Sequence, residues 1–236
     1  MEVYIAELLG TLILILVGAG VNANVSLAQT NGNDSGWIVI SWGWGVAVFI
    51  AVFMTGNISG AHINPAVTIG LAVAGNFDWA LVPGYIAAQM VGAILGSTLS
   101  WLQYRNHFDA TDNPAAQLGV FSTGPAIPDT LNNLYSEVVA TFVLILGVLY
   151  IAAPDVGIGA LDALPVGLLV FGIGMGMGGT TGYAINPARD LGPRIVHSLV
   201  PIKNKGSSNW GYAWIPVAGP IIGAVIAAIV YGLLPF

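Results

Sequence analysis

Asn64-Pro65-Ala66 and Asn186-Pro187-Ala188 are the residues whose type and order point first to chemistry. Asn is a preferred helix N-cap and Pro is favoured at the first helical position, so each word should open a helix out of a loop. A glycine-containing run precedes each word, Gly60-Ala61-His62-Ile63 in one case and Thr181-Gly182-Tyr183-Ala184-Ile185 in the other. The Asn amides are neutral hydrogen-bond donors. Arg189 follows the second word in an apolar setting. An arginine inside a membrane is costly and is a functional candidate by default. Glu7 and Glu137 also lie inside apolar runs, and a buried carboxylate needs partners.

Composition and run length say what kind of element holds these residues. Of the 236 residues, 56 % are hydrophobic and 7 % charged. A soluble domain usually carries about 25 % charged residues, so the surface of this chain must be largely solvated by lipid. The 5 Lys+Arg against 11 Asp+Glu leave a net charge of −6, which argues against nucleic acid as a partner. Cysteine is absent, which removes disulfides, Cys-based metal sites and thiol catalysis and leaves the redox compartment open. A membrane-crossing helix needs roughly 20 apolar residues. Candidate runs lie near 3–21, 37–55, 80–101, 134–152, 164–180 and 212–233, joined by polar loops such as 22–36, 103–132 and 201–211. The first run carries Glu7 and has no basic segment before it, so it reads as a retained span rather than a cleaved signal. The whole chain, 1–236, reads as one membrane domain.

The halves echo each other. Ala6-Glu7-Leu8 in the first span matches Ser136-Glu137-Val138 in the fourth, and Gln89-Met90-Val91-Gly92-Ala93 matches Pro220-Ile221-Ile222-Gly223-Ala224. The two Asn-Pro-Ala words fall between these pairs in the same order, which marks a duplicated unit. Repeat one covers about 1–102, a connecting loop about 103–132 and repeat two about 133–236. Three spans per unit require the second to enter the membrane from the opposite side, so the repeats are inverted and the functional site belongs near the midplane. Segments 56–75 and 179–198 are too broken for ordinary spans. Each is expected to dip into the membrane and turn into a half-helix, a geometry tolerated only against protein or a wet cavity. The two half-helix N-termini then meet, and their positive ends favour a neutral hydroxylic permeant over cations and protons.

A duplicated three-span unit with two Asn-Pro-Ala words, the second followed by Arg189, resembles the aquaporin, or major intrinsic protein, family over nearly the full length. The resemblance implies an all-α membrane protein of six transmembrane helices and two re-entrant half-helices. It also implies one pore per subunit, a homotetramer, a multi-pass place in the cell membrane and no cofactor or metal. It places Trp44, Gly174, Tyr183 and Arg189 around an outer constriction. Trp, Gly, Tyr and Arg there resemble the glycerol branch, whereas water-selective members carry His at the Gly174 position. On this reading Gly174 widens the pore, Trp44 and Tyr183 form an apolar wall, and Arg189 offers a fork of donors to hydroxyls. Asp190 after Arg189 and Pro216-Val217 in the last span resemble the same branch. Tyr183 stands where that branch more often has Phe, and the outer loop reads Phe121-Ser122-Thr123-Gly124-Pro125 where Tyr-Pro is common. Water, dihydroxyacetone, urea and protonated lactic acid therefore stay open beside glycerol as the main permeant.

The resemblance also gives Glu7 and Glu137 the role of bracing the re-entrant loops, and lays the backbone of Gly60, Ala61, His62, Thr181, Gly182, Tyr183 and Ala184 along the pore. Asp190 is read either as a structural partner for a nearby loop or as a pore-shaping branch residue. His107 and His197 read as surface residues. The Gly172–Gly178 run, Gly92/Gly96 and Gly219/Gly223 read as close-packing positions between helices. Arg105, Arg194, Lys203 and Lys205 fall in segments that the family places outside, against the positive-inside tendency. With so few cations that tendency is weak, and both termini are expected in the cytoplasm. A coupled secondary transporter would share the inverted repeats, but no intramembrane acid is free of the bracing role to carry a coupling ion. An intramembrane enzyme would need a nucleophile–base pair or metal ligands, and three scattered His with no Cys supply neither.

Overall fold

In the computed structural model of the protein, residues 1–151 and 161–234 are described. The end of the expected fourth span, residue 152, and the stretches 152–160 and 235–236 of the single domain lie outside them. Among the described residues there are nine helices: α1 (Glu2–Ser26), α2 (Trp37–Ser59), α3 (Pro65–Val73), α4 (Val82–Ala110), α5 (Pro114–Phe121), α6 (Thr130–Ile151), α7 (Leu164–Met177), α8 (Pro187–Leu199) and α9 (Ile215–Leu233). Five of them, α1, α2, α4, α6 and α9, are long and apolar enough to cross a membrane. The fifth expected run contains α7, a shorter apolar helix of 14 residues.

Packing follows the duplication. α1 lies on α4 as α6 lies on α9, and α2 meets α7 between the halves. Each half-helix crosses over to the other repeat: α3 packs on α9, and α8 on α4. Glycines let the long helices touch backbone to backbone. A Cβ added at Gly92 or Gly96 would run into the Leu8 or Leu12 carbonyl oxygen of α1. On α9, Gly219 would meet Glu137 Cβ at 2.6 Å and Gly223, the counterpart of Gly92, the Val138 carbonyl oxygen. In the Gly172–Gly178 run only part of the expectation holds. Gly174 and Gly178 face neighbouring side chains, while Gly172 and Gly176 have open space.

The re-entrant loops start later than the sequence suggests. Residues 56–59 continue α2, so Asn57 is on an exposed helix face rather than in the loop. α4 likewise extends to Ala110, and the stretch expected as a plain connecting loop contains α5. A third Asn-Pro-Ala word, Asn113-Pro114-Ala115, opens α5, with Asn113 Oδ1 accepting from the Ala115 and Ala116 amides at 3.1 Å each. It is the same cap that starts α3 and α8.

Filling a backbone-to-backbone contact should cost more than filling open space. Gly223→Ala is expected to lower the stability of the detergent-solubilised protein by about 1–3 kcal/mol, the usual cost of overpacking. Gly176→Ala should be neutral or slightly stabilising. Thermal unfolding of the two variants against the unmodified chain reads the difference.

Candidate functional site

The half-helices α3 and α8 begin at Asn64 and Asn186. Asn64 Oδ1 accepts from the Ala66 amide at 2.8 Å, and Asn186 Oδ1 accepts from the Ala188 and Arg189 amides at 3.0 and 3.2 Å. The two side chains also cross. Asn64 Nδ2 donates to the Ile185 carbonyl at 2.8 Å, and Asn186 Nδ2 donates to the Ile63 carbonyl at 2.9 Å. The N-termini of α3 and α8 are thereby tied to each other, with their positive ends adjacent. Each amide has two N–H donors, so one of each pair is spent on the tie. Pro65, Ala66, Pro187 and Ala188 are buried behind the Asn pair and do not reach the cavity described below.

The loops before these caps have an unusual backbone. Gly60, Ala61 and Ile63 have φ of 82°, 47° and 45°, and Gly182, Tyr183 and Ile185 have φ of 83°, 41° and 45°. A left-handed conformation at a non-glycine residue costs on the order of 1–3 kcal/mol and persists only when its surroundings enforce it. Here a buried carboxylate does so in each half. Glu7 accepts from the His62 and Ile63 amides at 2.8 and 2.7 Å, from Ser59 Oγ at 2.7 Å and from Gln89 Nε2 at 2.8 Å. Glu137 accepts from the Ala184 and Ile185 amides at 2.9 Å each and from Thr181 Oγ1 at 2.6 Å. Both side chains are fully buried. Residues 60–64 of the first loop and 183–186 of the second border a central cavity.

That cavity has a volume of about 570 Å³ and is mostly apolar. Gly60, Ala61, His62, Ile63 and Asn64 line it from the first loop, and Tyr183, Ala184, Ile185, Asn186 and Arg189 from the second, together with Trp44, Leu14, Val48, Val52 and Val170. Arg189 is 6 % exposed. Its guanidinium carbon lies 4.0 Å from the centre of the Trp44 ring, and Nη1 donates to the Phe121 carbonyl at 3.1 Å. A desolvated cation over an indole face contributes about 2 kcal/mol.

Some expected site residues stand elsewhere. Gly174 does not line the cavity: a Cβ there would lie 2.8 Å from both Cζ and Oη of Tyr183. The space that Gly174 vacates is filled by the Tyr183 phenol rather than added to the pore. Thr181 turns its hydroxyl to Glu137, Gly182 has Thr123 as its neighbour, and the residues bordering this cavity begin at Tyr183 in the second loop. Asp190 is fully buried outside it. Asp190 Oδ2 accepts from the Thr123 amide and hydroxyl at 2.7 Å each, and Oδ1 forms a 2.7 Å ion pair with Arg194. Arg194 further donates to the carbonyls of Thr123 and Ser208 at 2.8 and 2.7 Å. It is an interior clamp on α8, not a loop cation. His197 is also fully buried, with Nδ1 2.8 Å from Ser208 Oγ, and is not a surface residue. His107 is half-buried, 3.1 Å from the Ala28 carbonyl. The reading also missed Gln89 as a partner of Glu7, Thr68 beside His62 at 3.2 Å, and Asn22 and Gly18 against Trp44. The i,i+4 spacing of Asp190 and Arg194 on a helix was the available signal for their pairing.

Residues 1–231 match the sequence profile of the family described as Major intrinsic protein. The chain belongs to that family. It is 56 % identical over 227 residues to a glycerol uptake facilitator protein of Streptococcus pneumoniae, covering 96 % of this chain and 97 % of the other. It is 55 % identical over 231 residues to the glycerol uptake facilitator protein of Bacillus subtilis, covering 98 % and 84 %. Among solved structures it is similar to the aquaglyceroporin from Plasmodium falciparum, with a TM-score of 0.86 and 30 % identity over 98 % of this chain and 94 % of that one. It thus has the aquaporin fold and is a multi-pass membrane protein.

Because Gly174 makes room for Tyr183, its substitution should act through that ring. Gly174→Ala is expected to push the phenol toward the cavity and lower osmotic water permeability several-fold, and Gly174→Ala with Tyr183→Ala should recover most of it. Stopped-flow shrinkage of proteoliposomes at equal protein content tests this. Unchanged permeability in the single variant would show that the ring has room to spare.

Proposed function

We propose that this chain is a passive channel for glycerol and related small neutral solutes, one that also passes water and excludes ions and protons. The observation that carries the reading is the Arg189 guanidinium lying 4.0 Å over Trp44 at the wall of a cavity that also holds both Asn amides. A polyol has a carbon side and a hydroxyl side. Trp44 and Tyr183 offer surface to the first. The remaining donors of Arg189, the second N–H of Asn64 and of Asn186, and the carbonyls of Gly60, Ala61, His62 and Ala184 offer partners to the second. Adjacent half-helix N-termini disfavour cations, and donors fixed from the protein side interrupt a proton-conducting water chain. The names of the relatives support the same solute class.

Trp44, Tyr183 and Arg189 are the selectivity constriction on this reading. Gly174 belongs to it through the space it leaves for Tyr183, and Asp190 through the clamp behind Arg189. Repeat one, about 1–102, and repeat two, about 133–236, act as one channel domain. The assembly is a homotetramer in the cell membrane with both termini in the cytoplasm. External labelling of terminal tags would reverse the orientation.

Reconstitution into liposomes tests the function. Mixing with glycerol should give re-swelling well above empty liposomes, and an impermeant sugar should give fast shrinkage, both followed by light scattering. Fast shrinkage without glycerol entry would make the channel water-selective. Glycerol accumulation against its gradient would indicate a coupled transporter instead.

A further inference from the structure

Trp44 is held from one face of α1. A Cβ added at Gly18 would run into the six-membered ring of Trp44, 2.6 Å from Cε3 and from Cη2. One helical turn further on, Asn22 Oδ1 accepts the indole N–H at 3.0 Å. Positions i and i+4 share a helix face, so Gly18 and Asn22 bracket the indole end to end. The indole nitrogen is a donor only. With that donor spent on Asn22, Trp44 presents only carbon to the cavity. The other end of the Asn22 side chain is also fixed: Nδ2 donates to the Gly119 carbonyl at 3.0 Å. Gly119 lies in the last turn of α5, where carbonyls have no partner within the helix. Phe121, which ends the same helix, gives its carbonyl to Arg189. Gln117 secures α5 to the surrounding loops by donating to the carbonyls of Thr111 and Lys203 at 2.9 and 3.0 Å.

We infer that Asn22 is a positioning residue that sets solute selectivity, by locking the Trp44 indole with its N–H turned away from the pore and tying it to the helix end that also holds Arg189. Without Asn22 the buried N–H needs another partner. The ring then either rotates to offer that donor to the pore or loses its fixed face against Arg189. A wall that must be carbon for the CH side of a polyol becomes polar or mobile. Water, which needs no carbon wall, is affected less. The inference rests on the reading of Trp44 as part of the constriction.

Asn22→Leu is nearly isosteric and removes both hydrogen bonds. In proteoliposomes it is expected to lower the ratio of glycerol to water permeability by about fivefold, the size set by one hydrogen bond's usual net contribution. In a Trp44→Phe background, which has no indole N–H, Asn22→Leu should leave the ratio unchanged. The indole N–H resonances of the protein's seven tryptophans give an independent readout, with Trp44 assigned by its loss in Trp44→Phe. In Asn22→Leu that resonance should move upfield and exchange faster while the others hold. If Asn22→Leu does not fold, Asn22→Ser serves the same comparisons. An unmoved Trp44 resonance, equal loss of both permeabilities, or the same change of ratio in the Trp44→Phe background would overturn the inference. Should the unmodified protein pass no glycerol, the functional reading fails, and the resonance still decides whether Asn22 holds Trp44.

Discussion

Two stretches of non-helical backbone lie inside this membrane protein, and their amide groups have to find partners there. An unpaired backbone donor in hydrocarbon costs several kcal/mol. Glu7 and Glu137 meet that need, each taking two consecutive loop amides and a nearby hydroxyl. Both oxygens of each carboxylate accept from donors, so a single side chain orders a whole turn of backbone. That order offsets the left-handed conformations at Ala61, Ile63, Tyr183 and Ile185. It also turns the donors of each loop toward protein, while residues 60–64 and 183–186 border the cavity. The acids stand on α1 and α6, the helices that pack through glycine contacts on α4 and α9.

The halves share this plan but finish it differently. In the first, Gln89 adds a fourth donor to Glu7 and also donates to Thr68, which lies beside His62. In the second, the position matching Gln89 is Pro220, and the extra order comes from Asp190 and Arg194. These two knot α8 to Thr123 on one side and to Ser208 on the other. Lys205 closes the far end of α8 by donating to the carbonyls of His197 and Val200 at 2.9 and 2.8 Å, where a cation also suits the helix dipole. Such a framework leaves Arg189 little freedom. A channel that selects by the placing of a few donors needs that rigidity more than it needs overall stability.

Much of this was legible in the sequence. Apolar run length located the long helices, and Asn-Pro located the starts of α3 and α8, because both signals are local. Glu7 and Glu137 stood out because a carboxylate in an apolar run has no local explanation. What escaped depended on contacts between distant segments. Gly174 read as a wider pore, yet its space belongs to Tyr183 across the bundle. Arg194 and His197 read as outer residues, yet the loops around 123 and 208 bury them. α5 was passed over although Asn113-Pro114 carries the same cap signature as the other half-helices. Its run before the next polar stretch is simply too short to read as a span. Asn22 gave no signal, since one Asn near the end of a span is ordinary until its indole partner is seen.

Each buried carboxylate orders its own loop independently of the other. Hydrogen–deuterium exchange on reconstituted Glu137→Gln tests it most directly, because the amide replaces one acceptor with a donor. The amides of Ala184 and Ile185 should lose protection while those of His62 and Ile63, which depend on Glu7, keep theirs, and solute flux should fall. Full protection of Ala184 and Ile185 with unchanged flux would contradict it.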